Sequence, residues 1–168
     1  YRYYCSNGTV VVPLDDGTMN AYDTKGKRRY AIKENLPKVE LDDKILKQLD
    51  TLFTNDLRWK KLYMILKPQN KVMFPETLPV LQAYFVGGNT IYAITYRKKT
   101  GSDNQDTFLT YMFNLENGSL ITKKYLPFTS RNVLEIYPFA IYNGKIFQIV
   151  ENDDEEWELT VKHLTVQL

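Results

Sequence analysis

The chain has 168 residues, with 22 Lys plus Arg against 20 Asp plus Glu, 43% hydrophobic residues and 14% aromatic residues. This composition excludes a disordered tail, a collagen-like rod and a disulfide-stapled miniprotein. A net charge of +2 argues against a dedicated nucleic-acid binder, which carries a strong basic excess.

Residues 1–36 read as a four-stranded antiparallel meander. Tyr1 to Cys5 is the first strand, and Thr9-Val10-Val11-Val12-Pro13-Leu14 is a β-branched second one. Asn7-Gly8 before it and Asp15-Asp16-Gly17 after it are hairpin signals, because the central residues of a type I′ turn need positive φ. Thr18 to Thr24 and Arg28 to Lys33 complete the set around the turn Lys25-Gly26-Lys27. The opening residues carry neither an initiating Met nor a signal-peptide pattern, so the expectation is a mature or cut product.

Residues 37–79 form a helical insertion with an extended exit. Leu41, Ile45, Leu46, Leu49, Leu52 and Phe53 recur at helical steps, and Asp42 and Asp43 suit the positive end of a first turn. Asn55 is expected to cap a second helix containing Leu57, Trp59, Leu62, Tyr63, Ile65 and Leu66, which Pro68 stops. The apolar side chains of this insertion read as packing residues. Pro75 and Pro79 keep Phe74 to Pro79 extended.

Residues 80–128 return to strands: Leu81 to Val86, Thr90 to Arg97, Thr107 to Leu115 and Ser119 to Leu126, with a polar loop at Thr100 to Gln105. In the second of these both faces are partly apolar. Residues 129–168 supply three more strands, Ile136 to Tyr142, Lys145 to Val150 and Trp157 to Leu168, and no fourth. No apolar run approaches the roughly 20 residues of a membrane span.

A repeated grammar links these sections. Asn7-Gly8-Thr9-Val10-Val11, Gly88-Asn89-Thr90-Ile91-Tyr92 and Asn143-Gly144-Lys145-Ile146-Phe147 each place a tight turn before a β-branched or aromatic strand. Four-stranded meanders repeated in this way are the blades of a β-propeller. The fold expected is all-β with a small helical insertion, about three blades of a propeller in one partial domain. The order Asn35-Leu36-Pro37, charged helical insertion, Phe74-Pro75-Glu76-Thr77-Leu78-Pro79, Met112-Phe113-Asn114-Leu115, Tyr125-Leu126-Pro127 and Tyr142-Asn143-Gly144-Lys145-Ile146-Phe147 resembles the C-terminal half of a bacterial six-bladed β-propeller of the TolB-like and NHL-like group. The resemblance covers most of the chain and rests on structural strings. It implies an extracytoplasmic location and a ring about twice this length.

Residues with chemical potential are few. Asp153, Asp154 and Glu155, within an acidic run from Glu151 to Glu156, supply oxygens suited to Ca²⁺ but lack the glycine and spacing of an EF-hand loop. As a hairpin tip their charges would discourage edge pairing. Tyr96, Arg97 and Trp157 are the candidate binding residues, from a basic and aromatic strand end and a strand start. His163 is the sole histidine and Cys5 the sole cysteine, so thiolate zinc sites and an intrachain disulfide are excluded. A Cys5–His163 dyad would need the fold to join the two termini. No nucleophile elbow or phosphate loop is present.

These features point to a non-enzymatic binding or assembly module, with no catalytic residue and no cofactor assigned. A propeller hydrolase or lactonase with a channel metal, and a structural half of a longer polypeptide, are the other two readings. The expected partners are another half-propeller, the remainder of the same polypeptide, or a second copy forming a homodimer. Nucleic acid is not expected.

Overall fold

A computed structural model describes residues 4–101 and 105–164. Its strands form three successive antiparallel sheets. The first holds β1 (Tyr4–Ser6), β2 (Thr9–Pro13), β3 (Met19–Asp23) and β4 (Arg28–Ile32), in the order β1-β2-β3-β4. The second holds β5 (Leu81–Gly87), β6 (Thr90–Thr100), β7 (Asp106–Asn114) and β8 (Leu120–Leu126), again in chain order. The third holds β9 (Phe139–Tyr142), β10 (Lys145–Glu151) and β11 (Trp157–His163), with β10 central. The strand content expected of each section is therefore present. Tyr1 to Tyr3, the centre of the polar loop and the last four residues lie outside the described residues.

Local chemistry sets these elements. Asn7 and Gly8 have φ of 48° and 67°, and Asn143 and Gly144 have 47° and 68°, the left-handed pairs that two-residue hairpins require. Gly17 has φ +87°, and a Cβ there would lie 2.6 Å from Val80 Cγ1, so the β2–β3 turn can close onto Val80 only with glycine. The β6–β7 hairpin extends beyond its expected ends because Lys98 Nζ meets Asp106 Oδ2 at 2.6 Å and Thr100 Oγ1 donates to Asp106 Oδ1 at 2.7 Å. β9 starts at Phe139 rather than Ile136: Pro138 has no N–H to give a ladder, and Ile136 bridges Ser130 instead.

The insertion contains α1 (Asp43–Asn55) and α2 (Lys60–Leu66). Asp42 caps α1 by accepting from Ile45 N at 2.8 Å. The expectation that Asn55 caps the second helix is overturned: Asn55 ends α1, and Leu57 and Trp59 lie in the connecting turn. The physical reason is Asp56. Its N–H closes on Leu52 O at 2.8 Å, its carbonyl accepts from Lys60 N at 2.8 Å, and its carboxylate accepts from Arg58 N at 2.8 Å. Pro68 lies in the 3₁₀ turn Lys67–Gln69 that follows α2. Phe53 stacks on Phe74 at 6.1 Å and meets Tyr63 at 5.5 Å and Trp59 at 6.2 Å, a small aromatic core of the insertion's own. Leu57 and Leu62, expected to pack, are exposed.

The main core has two layers. Val11, Met19, Ile32 and Leu36 pack against Val80, Tyr84, Val86, Ile91 and Phe113 between the first and second sheets. Ile94, Phe108, Leu126 and Phe128 pack against Ile141 and Ile146 between the second and third. The second sheet is thus covered on both faces, which explains why β6 carries consecutive buried Ala93, Ile94 and Thr95 instead of strict alternation. Among the described residues the third sheet is covered on one face only. Its other face shows Tyr142, Ile149, Trp157, Leu159 and Val161 to solvent.

The first strands of the three sheets adjoin, β1 beside β5 and β5 beside β9. Aromatic contacts mark the seam. Tyr4 meets Tyr84 edge-on at 5.2 Å and Phe85 at 5.4 Å, and Phe85 meets Phe139 at 5.8 Å. Such pairs add roughly 0.5–1.5 kcal/mol beyond their area burial.

Candidate functional cleft

The helical insertion, the segment 127–138 and the β6–β7 strands meet around two cavities of about 520 and 530 Å³. Gln82 of β5 lines both. The first cavity lies over the seam of first strands and is walled by Tyr4, Tyr84, Arg131, Glu135 and Tyr137. The second lies between the start of α1 and β6, where Lys44, Ile45, Arg97, Phe108 and Asn132 face it.

Gln82 is the polar residue in an otherwise apolar strand, and its Oε1 is buried without a hydrogen-bond partner among the described residues. A buried acceptor left unpaired costs about 1–3 kcal/mol. The terminal torsion of a glutamine is broad, so this amide can turn toward either cavity at small cost.

An ion network closes one rim. Arg58 Nη2 lies 2.6 Å from Asp56 Oδ2 and 3.6 Å from Glu135 Oε2, and Asn132 Nδ2 donates to Glu135 Oε2 at 3.1 Å. Hydrogen bonds from the Arg58 side chain and backbone hold the Asp56 carboxyl down at about 2, and Asp56 in turn raises the Arg58 guanidinium. Deeper in the seam, burial pushes the Tyr84 phenol well above its ordinary value. In the insertion, burial and the 2.5 Å bond to Asp50 push Tyr63 up to about 12.

The candidate residues fall in three places. Tyr96 and Arg97 face the second cavity, where the Tyr96 hydroxyl donates to Leu134 O at 3.2 Å and Arg97 N donates to Thr95 Oγ1 at 3.3 Å. Trp157 stands apart from them on β11, half-exposed and edge-on to Tyr137 at 6.2 Å. Asp153, Asp154 and Glu155 form the exposed β10–β11 tip. That tip is organised by Asn152, whose Oδ1 accepts from Asp154 N at 3.0 Å and Glu156 N at 2.9 Å. Among the described residues no three His, Cys, Asp or Glu side chains are grouped to hold a metal ion.

Cys5 and His163 are both exposed and belong to the first and third sheets, on either side of the second. Two lysines of the second sheet lie over rings: Lys99 Nζ sits 4.3 Å from the Tyr125 ring centre and Lys123 Nζ 5.3 Å from that of Tyr111. Sequence reasoning missed Gln82 and the Asp56–Arg58–Glu135 network. The signal for Gln82 was present, a lone amide inside Leu81–Val86. The link from Arg58 to Glu135 joins residues more than 70 positions apart and left no local trace.

No protein-family model matches the chain, and no protein of curated function matches it significantly. No described helix is long and apolar enough to cross a membrane.

Proposed function

We propose that the three sheets are three successive blades of a β-propeller and that the chain acts as a non-enzymatic binding and assembly module. The observation that carries this reading is the arrangement of the sheets. Each meander packs face to face on the next, and the first strands β1, β5 and β9 adjoin along one seam. Blades around a common channel have this relation. The resemblance to six-bladed propellers of exported proteins supports the same reading and, with it, an extracytoplasmic location.

The bare face of the third sheet is where assembly occurs. Ile149, Trp157, Leu159 and Val161 occupy the positions that Ile141 and Ile146 fill on the covered side, and Leu159 is 66% exposed. Contiguous apolar surface of this kind marks an interaction site. A further blade, in the same polypeptide, another half or a second copy, covers it. The test is sedimentation and light scattering of the protein with and without Ile149→Glu and Leu159→Glu. Association abolished by the double substitution, with the far-ultraviolet circular dichroism retained, is the expected result. A strictly monomeric parent protein with a sharp melt would overturn the assembly reading.

A second reading, binding of a small molecule in the cleft, is favoured by the unpaired Gln82 Oε1. A ligand with an N–H or O–H donor completes that group, and Lys44 and Arg97 suit an acidic ligand.

A further inference from the structure

The segment 57–73 combines exposed apolar side chains with uncompensated positive charge. It contains Arg58, Lys60, Lys61, Lys67 and Lys71 and no Asp or Glu. Arg58 is held by Asp56 and Glu135, and Lys67 by Asp50. Lys60, Lys61 and Lys71 are exposed and form no ion pair among the described residues.

The apolar groups beside them are unusually bare. Leu57 is 90% and Met73 89% exposed, and Trp59, Leu62, Met64 and Ile65 are each about half exposed. Only Tyr63 of α2 is fully buried, in contact with Phe53 of α1. The helix is therefore held mainly through Tyr63, with Leu66 half-buried, and its other apolar side chains form an exposed patch.

We infer that this patch is a docking surface for an anionic lipid bilayer. Bare apolar side chains interleaved with unpaired lysines suit insertion among anionic headgroups, where no matching cavity is required. Leu, Ile and Met enter the boundary of the acyl chains, Trp59 sits at headgroup level, and unpaired lysines reach anionic phosphates. The attachment is peripheral and reversible. It stands independently of the propeller reading, because it uses only the insertion.

The experiment is co-sedimentation with phosphatidylcholine vesicles with and without 30% phosphatidylglycerol, together with tryptophan emission. The expected result is binding to the anionic vesicles alone, weakened by salt. A blue shift should accompany it and disappear in Trp59→Phe. Lys60→Ala with Lys61→Ala should weaken binding roughly thirtyfold. Leu62→Asn with Ile65→Asn leaves the charge unchanged and should also weaken it by at least about tenfold. All these side chains are exposed, so circular dichroism should not change. Absence of vesicle binding, or binding as strong as the parent's in either double variant, overturns the inference. Retention by immobilised polyglutamate without vesicle binding would assign the surface to an acidic protein and overturn it as well.

Discussion

Gln148 ties the segment before β9 to the third sheet, and replacing it isolates that function. Its side chain is fully buried, with Oε1 accepting from Thr129 N at 2.7 Å and Nε2 donating to Thr129 O at 3.2 Å and Tyr137 O at 3.4 Å. Gln148→Leu keeps nearly the same volume and removes all three bonds. It strands the N–H of Thr129, worth about 1–3 kcal/mol if left unpaired, while the Thr129 carbonyl keeps the Tyr137 N–H at 3.1 Å. Burying the leucine side chain recovers part of this, leaving a net loss of roughly 1–2 kcal/mol. For a chain of this size the melting temperature should fall by about 2–8 °C. Denaturant titration gives the free energy and a thermal scan the shift. Amide exchange at Thr129 should accelerate before that of Ile146, because the segment loosens first. A variant within about 0.5 kcal/mol of the parent would show that Thr129 finds water or another partner freely, and the pinning argument would be wrong.

Four further outcomes follow from geometry already given. Gly17→Ala meets both the positive φ and the Val80 contact, and should cost roughly 2–4 kcal/mol; adding Val80→Ala should relieve the steric share, which a double-mutant cycle reads directly. Asp42→Ala should remove about 1 kcal/mol by uncapping α1, measured as a lower denaturation midpoint with an unchanged slope. The carboxyl of Asp56 should titrate near 2 by nuclear magnetic resonance and return toward 3.8 in Arg58→Gln. Because the folded value is depressed, the favourable linkage is present above 3.8 and fades as pH falls toward 2; a midpoint unchanged by the substitution would discredit the pairing. Metal analysis of the purified protein before and after chelator should return no stoichiometric Ca²⁺, and a retained ion would favour the hydrolase reading over the assembly module.

The strands were legible because their turns are written in short range. Asn7-Gly8 and Asn143-Gly144 adopt the left-handed pairs their residue types favour, and the β-branched run at Thr9 to Val12 has no competing helical period. The helix boundary was misread for an equally local reason. Asn55 has the chemistry of a cap, but Asp56 ends α1 and bonds the turn through Arg58, Trp59 and Lys60, so α2 starts later, behind Trp59 and without a side-chain cap. The exposed Leu57 and Leu62 had the spacing of buried residues, since periodicity records a hydrophobic face and not what covers it. The cleft was least visible. Gln82, Lys44 and Arg97 come from three separate elements, and only the folded backbone sets them around common space.

The double coverage of the second sheet also orders events in time. In a stack where each layer touches only its neighbours, stability is a sum of intrinsic and nearest-neighbour terms, so a layer held on both sides opens last. Amide protons of β6 and β7 should therefore exchange only through global unfolding, whereas those of β10 and β11 escape through a smaller, separate opening. The same layering would make the second sheet the template on which the third condenses. A partner seated on Leu159 and Trp157 would remove the smaller opening and convert a graded molecule into a single cooperative one.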